Sequence, residues 1–523
     1  MSALLALRGL EIEAGPTRLL GPLDLDLRAG ECVGLVGESG SGKSLTALAL
    51  LGLVPRGLRA RGEIVHEAAR FAPGSAAHAA LRGRLLGWVP QDPLASLHPL
   101  RDIGSQLTET LHVSRGLTGR SARDAALALL EQVQLPDATR ALQRHPHAFS
   151  GGQRQRIAIA LALALQPQVL IADEPTSALD ARIAREILEL LDTLRRERGL
   201  AMLLVSHDLP LVGAYAQRVH VLQRGTVVEQ GDTDEVLARP VHAYTRELLE
   251  ADRIPPLPPS TRRARPVLQA EHLHVHYPRA PRPALDDVSI ELRRGEGLAL
   301  VGESGSGKST LGRALLRLLH GARGRVTWMD GDTRSDLGAL DRAALRRLRA
   351  RTGIVFQDPF ASLDPRQRIV DIVGEPLRIH GRGDRAARAA HAARLLEAVG
   401  LEAAMLTRFP HQFSGGQRQR IAIARALATD PELLVCDEAV SALDAHHRAS
   451  ILALLVRLKA ERGLALLFVT HDLAAAAAVA ERIAVLEGGR IVETGPTEQV
   501  LRAPAHPHTR ALLAARPAPR IAG

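Results

Sequence analysis

The stretch VGESGSGKS stands at residues 36–44 and again at 301–309. Each copy follows an apolar run, ECVGLVG or GLALVG, and opens onto an Ala/Leu-rich helical pattern. A strand, a glycine-rich turn and a helix in that order make a phosphate-binding loop, because the glycines let backbone N–H groups wrap an anion at a helix N-terminus. Working outward, FSGGQRQRIAIA recurs at 149–160 and 413–424, SALDA at 177–181 and 441–445, and HDL at 207–209 and 471–473. The four offsets are 265, 264, 264 and 264 residues. One shared register makes the chain a tandem duplication, and a period this long makes each copy a whole domain rather than a solenoid repeat.

Each copy reads as α/β. Apolar runs such as QVLIADE and MLLVSHD alternate with a helical pattern, ARIAREILELLDTLRRE, and the second copy repeats this as ELLVCDE, HHRASILALLVRLKAER and LALLFVTHD. Such alternation predicts right-handed crossovers and a mostly parallel sheet. From Gln91 to Ser150, and from Gln357 to Ser414, the pattern is mainly helical, which predicts an inserted helical subdomain. The expected domains are 1–253 and 267–523. They are joined by a Pro/Arg-rich linker at 254–266, where ADRIPPLPPSTRRARP carries five prolines in residues 251–266.

Composition narrows the partners. The 523 residues hold 67 Lys+Arg against 57 Asp+Glu, a net charge of +10. That excess fits nucleic acid or an anionic membrane, but an arginine-rich surface bias accounts for it more simply. Only Lys43, Lys308 and Lys459 are lysines, so a lysine kept in both phosphate loops stands out. Two cysteines, Cys32 and Cys436, rule out a disulfide scaffold or a four-thiolate metal site. Both lie in apolar runs and read as buried thiols in a reducing compartment. The longest apolar run, 157–172, is broken by Gln-Pro-Gln and is too short to span a bilayer. The N-terminal stretch lacks the pattern of a secretory signal. A membrane role therefore needs partners that supply the spans.

In the loops Gly37, Glu38, Ser39, Gly40, Ser41, Gly42, Lys43 and Ser44, and Gly302, Glu303, Ser304, Gly305, Ser306, Gly307, Lys308 and Ser309, the lysine supplies a compact ammonium between two phosphates. The final serine is a magnesium ligand. Asp173 and Asp437 end strands and reach that ion through its water shell. Glu174 and Glu438, next in the chain, are placed to orient the attacking water. Ser150, Gly151, Gly152 and Gln153, matched by Ser414, Gly415, Gly416 and Gln417, head a second helix in each copy and form a further anion cradle.

With these four helix starts the chain resembles the ABC-type ATPase family, whose signature is the SGGQ turn, and the resemblance covers nearly all of both copies. It implies ATP and Mg²⁺ as ligands, with each ATP held between the loop of one copy and the signature of the other. Lys43 then works with Ser414 and Gly416, and Lys308 with Ser150 and Gly152. It also implies that Gln91 and Gln357 sense the metal and water, that His207 and His471 contact the γ-phosphate, and that Asp180 and Asp444 face the partner copy. A lone histidine is ordinarily structural, and the repeated HDL favours the switch role. The family places an aromatic side chain against adenine upstream of the loop. Tyr277 has that place in the second copy, whereas Ala14 has it in the first, so ATP is expected to bind more weakly at Lys43.

QDPLASLHP (91–99) and QDPFASLDP (357–365), with the similar tails RPVHAYTRELLEA (239–251) and APAHPHTRALLAARP (503–517), narrow the resemblance to the oligopeptide/dipeptide/nickel importers. Without further meaning, such a tail is a capping helix. The implied function is an energy-coupling ATPase at the cytoplasmic face of the inner membrane, working with two permease subunits and an extracytoplasmic solute-binding protein. Dipeptide, longer peptide, glutathione-like peptide and nickel all remain open as solute. The rival is a soluble tandem ATPase acting on ribosomes or other nucleic acid. It is disfavoured by the short proline-rich joint and by aromatics of only 2%.

Overall fold

A computed structural model of the protein describes residues 3–177, 179–251, 257, 265–278, 280–440 and 443–514. Most of the expected linker at 254–266, with Ala178, Ser441 and Ala442 of the SALDA repeats, lies outside the described residues. The chain forms two compact units, one running to Ala251 and one from Asp252 to Ala515. Each is of α/β class.

In the first unit a six-stranded sheet runs, edge to edge, Thr226–Asp232, Arg218–Gln223, Cys32–Val36, Ala201–Ser206, Val169–Asp173 and Leu86–Val89. The last five strands are parallel, and only Thr226–Asp232 pairs antiparallel, with Arg218–Gln223. The strand carrying the phosphate loop lies inside this sheet, and the strand ending in Asp173 is two places away. A separate four-stranded antiparallel sheet is ordered Thr17–Leu27, Leu5–Ala14, Leu58–His66 and Ala69–Phe71.

Strand periodicity explains the layering. Alternate residues point to opposite faces, and a parallel sheet covered on both sides needs apolar residues at every position. Cys32, Val36, Leu170, Ala172, Met202 and Leu204 enter the core shared with the helical insertion. Their neighbours Val33, Leu35, Val169, Ile171, Leu203 and Val205 enter the core shared with the antiparallel sheet. Both cysteines are free and buried, and burial pushes the Cys32 thiol up to about 12, so it is inert at neutral pH.

The second unit repeats the plan. Its six strands are ordered Thr352–Val355, Leu433–Asp437, Ala465–Thr470, Gly297–Val301, Arg482–Glu487 and Arg490–Pro496. Its antiparallel sheet runs Leu285–Arg293, Pro266–Val275, Arg323–Asp330 and Thr333–Asp336. Helical insertions occupy the expected stretches, with Ile103–Arg115, Gly119–Gln132 and Gly151–Ala164 in one unit and Ile369–Ile379, Arg385–Ala398 and Gly415–Ala426 in the other. Among the described residues no helix is long and apolar enough to cross a membrane.

Candidate functional site

The phosphate loops owe their shape to glycine. Gly42 and Gly307 precede the helices Lys43–Leu50 and Lys308–Leu315 at φ 106° and 107°, a left-handed backbone that L side chains resist. A Cβ on Gly37 would lie 2.1 Å from the Leu222 carbonyl oxygen, and one on Gly302 would lie 2.2 Å from that of Leu486. The loop therefore packs its backbone directly against the neighbouring strand. Lys43 Nζ donates to the carbonyls of Gly37 (2.7 Å) and Glu38 (2.8 Å). Lys308 Nζ does the same with Gly302 (2.9 Å) and Glu303 (2.8 Å). Both ammonium groups are thus buried but satisfied, folded back into the cradle. Within the same loops the Ser41 and Ser306 hydroxyls are buried without a hydrogen-bond partner, a cost the fold retains at this place.

The strand-end acids come to the loop. Ser44 Oγ lies 3.2 Å from Asp173 Oδ1, and Ser309 Oγ lies 2.7 Å from Asp437 Oδ1. Burial pushes the Asp173 carboxyl up to about 6, against the opposing pull of the Ser44 hydroxyl. The second unit adds Arg313, 4.0 Å from Asp437.

Glu174 and Glu438 adopt φ 44° and 48°, strained for a residue with a Cβ. Their amides are held by the carbonyls of Val205 and Val469 on the adjacent strand, at 2.9 and 3.0 Å. Their carboxylates are held too. Gln91 Nε2 donates to Glu174 at 2.9 Å, and Gln357 Nε2 donates to Glu438 at 2.7 Å. Lys43 lies 3.9 Å from Glu174 and Lys308 lies 3.8 Å from Glu438. His207 Nδ1 is 3.5 Å from Glu174. His471 directly follows the strand Ala465–Thr470, as His207 follows Ala201–Ser206. Each unit thus gathers its lysine, serine, aspartate, glutamate and glutamine at the C-terminal ends of its parallel strands, where such sheets open a binding crevice.

The SGGQ turns are capping boxes. Ser150 Oγ accepts the Gln153 amide and the Gln153 side chain accepts the Ser150 amide, and Ser414 and Gln417 do likewise. The glycines between them admit a neighbour: a Cβ on Gly152 would strike Ile183, and one on Gly416 would strike His447. Asp180 and Asp444 cap the following helices by accepting the amides of Ile183 and His447.

Tyr277 lies in the nine-residue connection between the strands Pro266–Val275 and Leu285–Arg293, with its hydroxyl 3.3 Å from Thr310 Oγ1. In the first unit the matching strands, ending at Ala14 and starting at Thr17, are joined by Gly15 and Pro16 alone. The equivalent of Thr310 there is Leu45. The first unit therefore has no loop on which an aromatic ring could be carried.

Sequence reasoning passed over one contact. The tail helix Ala243–Ala251 brings Tyr244 to the phosphate loop, where its hydroxyl accepts the Glu38 amide at 2.9 Å. The two residues are separated by 206 positions, so no local pattern announces the pairing.

Known proteins resemble the chain closely. The ABC transporter family matches residues 20–177 and 285–441, and the oligopeptide/dipeptide transporter C-terminal region matches 228–275 and 492–522. The glutathione import ATP-binding protein GsiA of Salmonella paratyphi A is 41% identical over 540 residues, spanning 95% of this chain and 86% of its own. The GsiA of Escherichia coli K12 is likewise 41% identical over the same shares. Among solved structures, the dimeric ABC transporter cassette MJ0796 aligns at 31% identity and a TM-score of 0.40, over 44% of this chain and 98% of its own.

Proposed function

The chain belongs to the ABC transporter ATPases, which bind and hydrolyse ATP to power transport, and on that premise we propose that it is the energy-coupling subunit of a peptide importer. The doubled tail region of oligopeptide/dipeptide transporters carries the choice of importer. The relatives named for glutathione import make a short thiol peptide of that kind the favoured solute. Two permease subunits and an extracytoplasmic solute-binding protein complete the machine, and the chain works at the cytoplasmic face of the inner membrane. Its domains are 1–253 and 267–523, with 254–266 as linker.

One observation carries the chemistry: both units bring a satisfied lysine, a hydroxyl–carboxylate pair and a clamped glutamate to one loop. Lys43 and Lys308 exchange carbonyl partners for phosphate oxygens. The oxygen donors of Ser44 with Asp173, and of Ser309 with Asp437, suit Mg²⁺, a hard ion. When bound, Mg²⁺ neutralises charge on the β- and γ-phosphates. Glu174 and Glu438 accept the proton of the attacking water, and Gln91 and Gln357 release them when the γ-phosphate arrives. His207 and His471 donate to that phosphate. Ser150 with Gly152, and Ser414 with Gly416, head a second helix in each unit whose N-terminus receives nucleotide phosphate.

Replacing Glu174 and Glu438 together by Gln is expected to cut ATPase activity by about two to four orders of magnitude while nucleotide stays bound. Normal turnover in that variant removes the base assignment. Uptake of labelled glutathione by cells lacking and regaining the gene tests the solute. Competition by dipeptides or nickel ranks the alternatives, and recovery of the chain with ribosomes rather than permeases would end the transport reading.

A further inference from the structure

In each unit the tail turns back as a strap against the edge strand of the six-stranded sheet. Glu229, on the edge strand Thr226–Asp232, accepts the amides of Val241 (2.8 Å) and His242 (3.0 Å). Glu493, on the edge strand Arg490–Pro496, accepts those of Ala505 (2.8 Å) and His506 (3.0 Å). In the first unit the strap reaches further. Its helix Ala243–Ala251 buries Tyr244 and Leu248 in the core that also takes Leu209 and Val212. Those two residues belong to the helix Leu209–Gly213, which starts two residues after His207. The Tyr244 hydroxyl accepts the Glu38 amide of the phosphate loop at 2.9 Å. The carbonyl of that same peptide unit is Gly37's, and it accepts Lys43 Nζ at 2.7 Å. One planar peptide is thus gripped from opposite sides, by the strap and by the phosphate-binding lysine. The tyrosine belongs to the first unit alone, because the matching residue of the second is His508.

We propose that Tyr244 is a positioning residue for the first phosphate loop, and that through it the strap and the nucleotide at Lys43 stabilise each other. The proposal rests on the reading that Lys43 binds ATP. The loop is rich in glycine, with Gly40 and Gly42 at φ 81° and 106°, so its backbone has much freedom to lose when phosphate binds. Tyr244 removes part of that freedom beforehand by fixing the Gly37–Glu38 peptide, and a binding site ordered in advance loses less entropy on binding. Water is a poor substitute for the hydroxyl, since Tyr244 is only 3% exposed. An amide left there without an acceptor carries its full desolvation cost. The effect runs both ways. If the docked strap favours ATP by some factor, ATP favours the docked strap by the same factor. The tail region that marks the oligopeptide/dipeptide branch, matched at residues 228–275, then works as part of the nucleotide site.

The test uses the full chain carrying Lys308→Ala, so that only the first loop keeps its lysine. Two quantities are read: equilibrium binding of radiolabelled ATP, and hydrogen exchange at residues 243–251 with and without ATP. ATP is expected to slow exchange at 243–251 by about threefold to tenfold, the worth of one net hydrogen bond. Residues 507–514, whose unit has lost its loop lysine, keep their rates. Tyr244→Phe keeps the ring in the core and deletes the acceptor. It is expected to weaken ATP by about the same threefold to tenfold and to abolish the slowing. Glu229→Ala, which loosens the strap from its other end, should weaken ATP as well. A tyrosine that only fills the core would leave both the affinity and the slowing as in the parent. The proposal is overturned if Tyr244→Phe binds ATP as tightly as its parent, or if ATP leaves exchange at 243–251 unchanged in a chain that binds it. If adding Lys43→Ala to Lys308→Ala leaves ATP binding unaltered, the underlying assignment of the loop fails instead.

Discussion

At Glu174 and Glu438 the backbone is left-handed and the carboxylate is clamped by a glutamine from a distant loop. The strain aims a side chain that the strand would otherwise direct into a core, and the glutamine holds the carboxylate by a hydrogen bond. Replacing Gln91 by Ala removes the donor without touching the carboxylate. We expect steady-state ATPase of the permease complex to lose about ten- to a hundredfold in kcat, the scale of a misplaced catalytic group, with KM for ATP nearly unchanged. A rise in KM with kcat intact would make Gln91 a binding residue instead. Tyr277 gives the complementary case. Its ring is 40% exposed and free to stack. Tyr277→Ala in the Lys43→Ala chain is expected to weaken ATP by about two- to tenfold, the worth of a stacked ring, whereas Leu45→Thr in the Lys308→Ala chain changes little. Equilibrium ATP binding checks both. The phosphate loops were legible because backbone geometry demands glycine at fixed spacing, and Tyr277 was singled out by the family resemblance. Tyr244 was not, since its bond to Glu38 is a product of tertiary packing.

Elements carry a second layer of information. The helical insertions show in Ala/Leu/Arg-rich runs, and the SGGQ turn announces a helix start. That the serine closes a reciprocal capping box is also written locally, as a serine with glutamine three residues on. The straps are different. Their helices, Ala243–Ala251 and Pro507–Ala514, are too short to persist alone, and read from sequence they mark the importer branch without showing what holds them. What fixes them is a carboxylate on the edge strand of each sheet, Glu229 or Glu493, each taking two backbone amides. Bonds to a charged acceptor are worth about 1.5–3 kcal/mol each. Glu229→Ala is therefore expected to speed hydrogen exchange at residues 243–251 by at least about tenfold, leaving 507–514 at wild-type rates. Glu493→Ala should do the reverse. Uniform acceleration of both straps would show that the carboxylates act on the whole fold rather than on their own element.

Across the whole molecule the duplication hides one unequal core position. His220 lies buried on the strand Arg218–Gln223 of the first unit, and its counterpart is Ala484. Burial lowers the His220 imidazole to about 4, with the nearby Arg218 guanidinium acting in the same direction. The folded unit keeps it neutral while the unfolded chain protonates below its ordinary value of 6.5. Stability from this group is thus complete above about pH 6.5 and is lost as pH falls toward 4, by up to about 3 kcal/mol. Asp173 opposes it. Its carboxyl, raised to about 6, takes a proton in the folded state that the unfolded chain refuses until about 3.8, so acid stabilises the unit through that group. The two slopes cover nearly the same window with opposite sign, so a melting curve of the unaltered protein conceals both. Their difference is measurable. His220→Ala costs a constant amount for its cavity but abolishes only the destabilising slope. Calorimetry without nucleotide should therefore show the first unit of His220→Ala gaining on wild type by about 3 kcal/mol between about pH 7 and pH 4, with the second unit's transition moving identically in both proteins. A wild-type minus variant difference that stays flat across that range would mean that His220 is charged, or solvated, in the folded state.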